Sequence, residues 1–191
     1  MTAKLETQLA QAMANTSTAC VLLCHDDQPS DDLEADRVID LVQAAGIACL
    51  IDGDIAMAER LGADGVHLAA DTDVYAAARA RLGESANIGV ACGPNRDEAM
   101  RLAELGADYV AFAAESTEAD AVDQCAELMS WWSEIFVVPC IAWNVDDPEL
   151  AARFAALGAD FVAPSKAIWQ DDRAAQLADI DSAIGRVRSA A

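Results

Sequence analysis

Few residues in this chain are equipped for chemistry, and they are unevenly placed. Two histidines, six cysteines and two lysines, Lys4 and Lys166, stand among 33 acidic side chains. His25 directly follows the apolar run Cys20 to Cys24, so at the end of a strand it could act as a general base or a metal ligand. Its neighbours Asp26 and Asp27 favour the charged imidazolium. His67 instead lies within an apolar run and reads as a hydrogen-bonded core residue. Cys20, Cys24, Cys49, Cys92 and Cys140 fall within or at the ends of apolar strand candidates, where free thiols behave as small hydrophobes. With no CxxC pair, neither a zinc site nor a thioredoxin-like redox site is expected. No GxGxxG or GxxxxGK[ST] follows a strand, so the usual nucleotide-binding signatures are missing.

The acidic excess gives a net charge of −21 and a pI near 4.1, which would repel the phosphates of a nucleic-acid partner. It reads as a solvated acidic surface. A chain of 191 residues, 54% hydrophobic, suits one domain over 1–191. No apolar run reaches the roughly 18 residues of a membrane span, and Met1 to Glu6 lacks the apolar core of a secretion signal. The expectation is a cytoplasmic protein.

These residues must be positioned by a repeated scaffold. The phrases Leu61-Gly62-Ala63-Asp64-Gly65-Val66, Leu105-Gly106-Ala107-Asp108-Tyr109-Val110 and Leu157-Gly158-Ala159-Asp160-Phe161-Val162 each follow an alanine-rich helical stretch and lead into an apolar one. Glycine is the residue that most readily takes a left-handed helix end, so each phrase marks a helix-to-strand joint. Strands are predicted at Cys20–Cys24, Ala48–Ile51, Gly65–Leu68, Ile88–Cys92, Tyr109–Ala113, Phe136–Ile141 and Phe161–Ala163. Helical spacing predicts an opening helix over Leu5–Met13 and amphipathic helices over Asp36–Ala45 and Asp97–Leu105. Short strands, apolar on both faces and alternating with helices, belong to a parallel sheet covered by helices. Two architectures remain, a doubly wound open sheet and a (β/α)8 barrel. The repeated joint favours the barrel, although the chain starts with a helix where a first strand should stand.

The run Cys49 to Leu68, with Asn87 to Cys92 and Glu98 to Val110 after it, resembles the thiamine-phosphate synthase and TenI family of TIM barrels. Gly158 to Ile168 is similar to that family's last strand and phosphate loop. The resemblance covers Cys20 to the C-terminus in order. It implies an α/β, TIM (β/α)8 barrel-like fold without a counterpart of the family's first strand. The missing strand leaves two explanations, a misassigned start or a barrel closed by a neighbouring subunit, and a homo-oligomer is expected.

The implied activity is a transfer in thiamine biosynthesis that joins a pyrimidine diphosphate to a thiazole phosphate and releases pyrophosphate, with magnesium held by aspartates after two neighbouring strands. The family's metal aspartates fall on Gly53 and Thr72, so that Asp52 or Asp54 with Asp71 or Asp73 could still hold magnesium, the alternative being that these are solvated acidic loop residues. Ser165 and Lys166 fall where the phosphate is received. Other family positions are altered. The Gln-x-Arg-x-Lys run becomes Cys24-His25-Asp26-Asp27, and the Ser-x-His segment becomes Cys92-Gly93-Pro94-Asn95. The Thr-x-Thr-x-Lys loop becomes Ala114 to Glu118, and the Gly-Gly turn becomes Ala142-Trp143-Asn144. Cys92, Trp143 and Asn144 thereby become substrate-binding candidates, while Trp131, Trp132 and Trp169 read as packing. Loss of the basic pyrophosphate contacts supports a second reading, a non-catalytic member that binds a ligand or partner. An isomerase acting on a phosphorylated heterocycle would need a base, for which His25 or an aspartate would serve.

Overall fold

All three copies of the repeated phrase fold alike in the computed structural model, which describes residues 3–24, 32–169 and 173–189. In each, the alanine N–H donates to a carbonyl five residues back at 3.0 Å: Ala63 to Ala58, Ala107 to Leu102 and Ala159 to Phe154. The intervening glycines Gly62, Gly106 and Gly158 have φ of 66°, 96° and 99°. This is the six-to-one closure of a helix end, and it needs a residue with little strain at positive φ. The first copy adds a requirement of its own at Gly65, where a Cβ would stand 1.8 Å from the carbonyl oxygen of Asn87.

The chain divides into two compact units, with the boundary in the sequence between Ile88 and Gly89. In the first, α1 (Ala3–Asn15) precedes β1 (Cys20–Leu23), α2 (Asp32–Ala44), β2 (Ala48–Asp52), α3 (Ile55–Leu61), β3 (Gly65–Ala69) and α4 (Thr72–Leu82). Its strands are parallel, with Cys20 opposite Ala48 and Leu50 opposite Gly65. Val42, Leu50, Ile51 and Val66 are buried in its core.

The strand β4 (Asn87–Ala91) runs through the boundary. It is followed by α5 (Arg96–Glu104), β5 (Tyr109–Phe112), α6 (Ala119–Ile135), β6 (Cys140–Trp143), α7 (Pro148–Ala156), β7 (Phe161–Ala163), two short 3-10 turns (Lys166–Trp169 and Arg173–Ala175) and α8 (Gln176–Arg188). Gly89 pairs with Tyr109, Val110 with Cys140 and Ile141 with Phe161, all in parallel. Phe112, Met129 and Trp132 are buried here.

One expected strand is displaced. The run from Phe136 does not enter the sheet until Cys140, because α6 extends to Ile135 and Phe136 closes it by donating its N–H to Trp132. The ring of Phe136 stacks on Trp132 at 4.0 Å, and the Trp132 indole N–H donates to Val138 at 2.8 Å. Phe136 there serves a helix end, and Pro139 lacks the N–H a central strand would use. All six cysteines are free thiols; Cys49, Cys92, Cys125 and Cys140 are buried, and Cys20 and Cys24 are exposed. No helix among the described residues is long and apolar enough to cross a membrane.

Candidate functional site

Parallel strands followed by helices gather their loops at the strand C-terminal ends, where barrel chemistry is carried. In the first unit the loop after β2 is Asp52-Gly53-Asp54. Gly53 (φ 73°) donates its N–H to the His67 carbonyl at 2.8 Å, which turns the chain so that Asp54 becomes the cap of α3. Asp54 Oδ1 accepts the Met57 N–H at 2.8 Å. After β3, Asp71 caps α4 in the same manner, its Oδ1 accepting from Asp73 at 2.8 Å and Val74 at 3.0 Å. One oxygen each of Asp54 and Asp71 is therefore engaged by helix N–H groups, a normal use of aspartate at this position. Asp52 is half-buried at the end of β2, and Asp73 is exposed in the first turn of α4.

His67 pairs in register with Asp52 and is only 3% exposed. Burial pushes its pKa down to about 4, against the upward pull of Asp52. Its Nε2 makes no hydrogen bond, although the residue keeps other interactions. The imidazole is thus a neutral core group at neutral pH. His25 lies outside the described residues.

In the second unit, Cys92 follows β4 and donates its N–H to Ala111 at 2.9 Å. Its thiol is buried and its pKa pushed up to about 12, first by burial and then by Glu98. At neutral pH it is a protonated thiol that offers no nucleophile. Trp143 ends β6 half-buried, and Asn144 adopts φ of 60°, the left-handed conformation that asparagine tolerates better than most residues. That turn brings Val145 N–H to the Ala163 carbonyl at 3.1 Å and sets Asp146 beside the end of β7.

There Asp146 Oδ1 accepts the Ser165 N–H and its Oδ2 accepts the Ser165 hydroxyl, both at 2.7 Å. Lys166, exposed, opens the 3-10 turn that follows. Asp146 is the residue that sequence reasoning missed. Val145-Asp146-Asp147-Pro148 reads as a helix start, which correctly describes Asp147, the cap of α7, and nothing in the spacing sets Asp146 apart from it.

Among the described residues no group of three or more histidine, cysteine, aspartate or glutamate side chains is assembled to hold a metal. Several arginines are committed elsewhere. Arg79 donates to Gly83 and Ala86, Arg81 pairs with Glu59, and Arg153 pairs with Asp123. Two surface grooves of the first unit, of 470 and 380 Å³, lie away from these loops. One runs between α1 and α2, and the other lies beside the joint at Asp64.

The family model for thiamine monophosphate synthase matches residues 2–168. The chain belongs to this family. A thiamine-phosphate synthase of Erythrobacter litoralis is 41% identical over 155 residues, covering 76% of this chain and 73% of that protein. One from Rhodospirillum centenum is 37% identical over 166 residues, covering 84% and 80%. A solved thiamine phosphate pyrophosphorylase from Pyrococcus furiosus superposes with a TM-score of 0.76 at 17% identity, covering 95% of this chain and 90% of that one. At such identity the likeness is one of fold, and it gives the α/β, TIM-barrel-like class for this member of the thiamine monophosphate synthase family. A native KDPGal structure with a TM-score of 0.78 at 12% identity shares the fold too, so fold alone does not select the chemistry.

Proposed function

We propose that this family member is a thiamine-phosphate synthase, which joins a pyrimidine diphosphate to a thiazole phosphate and releases pyrophosphate. The observation that carries the reading is the family match over residues 2–168, supported by the 41% identity to the Erythrobacter enzyme. The donors of the first unit are consistent with magnesium. Asp54 and Asp71 each engage one oxygen in a cap and keep the other, while Asp52 and Asp73 stand two residues from them. A hard cation with six oxygen ligands is commonly held by one or two carboxylates, with water and substrate phosphate supplying the rest, so no cage of three protein ligands is required. Magnesium held there would neutralise the charge of the leaving pyrophosphate. On the second unit Lys166 supplies a cation and Ser165 two donors for phosphate, with Trp143 and Asn144 at the end of the adjacent strand β6 and Cys92 at the end of β4. The proposal also takes the protein as cytoplasmic and homo-oligomeric.

A second reading, a ligand-binding member without turnover, is favoured by one observation: both donors of Ser165 are already held by Asp146. Detection of thiamine phosphate from the two substrates and magnesium separates the two readings. The control is Asp54→Asn/Asp71→Asn, because asparagine caps helices about as well as aspartate while removing the charge. Turnover is expected in the wild type, with a loss of about 100-fold in the variant at unchanged melting temperature, the scale of weakened metal support. Absence of turnover in the wild type would leave the binding reading.

A further inference from the structure

The loop after β7 is closed by a charge of the sign its proposed ligand would carry. A carboxylate only accepts hydrogen bonds, so the Ser165 hydroxyl must donate its single hydrogen to Asp146 Oδ2. The Ser165 N–H is likewise directed at Oδ1. At 2.7 Å both bonds are short, as expected for charge-assisted pairs. The two oxygens of one carboxylate thus take the backbone and side-chain donors of one serine, the arrangement that two oxygens of a phosphate would adopt there. The pairing is built by the fold. Asn144 at positive φ and the Val145 to Ala163 bond deliver Asp146 to this place, and the next residue, Asp147, is fixed as the cap of α7.

We infer that Asp146 is an internal competitor for phosphate, a specificity-determining residue whose carboxylate must leave Ser165 before a phosphate monoester can bind there. The inference rests on the family reading only for the identity of the ester; the competition itself concerns any phosphate. Two consequences follow from charge. The carboxylate penalises a dianionic phosphate at Ser165 by occupying its donors and by like-charge repulsion. It imposes no such penalty on a neutral alcohol of the same heterocycle, whose hydroxyl can donate to the carboxylate.

The test is calorimetric titration of the full chain with orthophosphate, with the thiazole phosphate and with the corresponding thiazole alcohol, for the wild type, Asp146→Asn and Asp146→Ser. Asparagine keeps an accepting oxygen and nearly the same shape while removing the charge, and serine provides a second route should the first variant fold poorly. Melting temperatures report folding. The expected result is a gain of at least tenfold in affinity for orthophosphate and for the thiazole phosphate in the variants, with the affinity for the alcohol changed less than twofold. An equal gain for ester and alcohol, no gain, or no phosphate binding by the folded variants would overturn the inference. The two proposals fail separately. A gain in orthophosphate binding without thiamine phosphate synthesis removes the synthase reading and keeps the competitor, whereas synthesis without the gain does the reverse.

Discussion

Aspartate is used differently at the two ends of these strands. At the starts, Asp64 Oδ2 accepts the Cys49 N–H at 2.7 Å while the Asp64 N–H donates to the Cys49 carbonyl at 2.8 Å. Asp160 repeats this with Cys140, at 2.9 and 3.0 Å. A single phrase therefore gives one geometry in both units: a closed ring of two bonds that anchors the opening of the preceding strand. At the ends the common role is to cap the following helix, and one residue departs from it. Asp54 and Asp71 cap helices through one oxygen, Asp147 caps α7, and Asp146 holds a serine. Repetition marks what holds the strands in place, and departure from it marks the loops where barrels differ in chemistry.

The largest effect lies in the body of β3, between a joint and a loop. Folded His67 has a pKa near 4 against 6.5 for the exposed group, so the unfolded chain takes up the proton first as pH falls. Its contribution is fully present above about pH 6.5 and is lost as pH falls from there toward 4, by about 3 kcal/mol at most. Urea unfolding across that range, compared with His67→Gln, should show the wild type losing stability relative to the variant. Parallel curves would mean that β3 opens to water and that its core is no firmer than its loops.

A smaller effect belongs to the joints themselves. Removing the carboxylate in Asp64→Ala leaves the N–H of fully buried Cys49 without its acceptor and should cost about 2 kcal/mol. Cys140 is equally buried, but Asp160 is exposed where Asp64 is half-buried, so water reaches the vacated position more easily and Asp160→Ala should cost about 1 kcal/mol. Denaturant midpoints at constant slope measure both. A reversal of that order would show that the exposure of the aspartate does not set the strength of the anchor.

The joints were legible because their signal is periodic and local: Leu-Gly-Ala-Asp recurs, glycine has a physical reason to stand after a helix, and the strand that follows is apolar. Six of the seven strands lie close to where alternation and apolar runs place them. The exception, β6, was misplaced because Phe136 is apolar for the sake of Trp132, on which it stacks, a demand that the apolar run itself does not reveal. The site was less legible for the same reason. Asp52, Asp54, Asp71 and Asp73 are adjacent to the expected positions, yet the capping bonds of Asp54 and Asp71 depend on the turn each loop makes. The pairing of Asp146 with Ser165 spans 19 residues and two strand ends, and becomes visible only once β6 and β7 lie side by side.

The smallest effect tests whether strand-end aspartates are structural by default. Asp147 Oδ2 accepts the Leu150 N–H at 2.8 Å, with Pro148 at the first helical position, where its missing N–H costs nothing. Asp147→Ala should lower stability by about 1 kcal/mol, and Asp147→Asn by only a few tenths, since asparagine caps equally well. Because Asp147 adjoins Asp146, the pair of variants also reads how firmly the cap of α7 fixes the carboxylate that faces Ser165. With phosphate affinity followed alongside unfolding, alanine should raise it modestly by loosening the turn, and asparagine should leave it unchanged. If both variants raise it equally, charge near the loop, rather than the position of Asp146, sets the competition at Ser165.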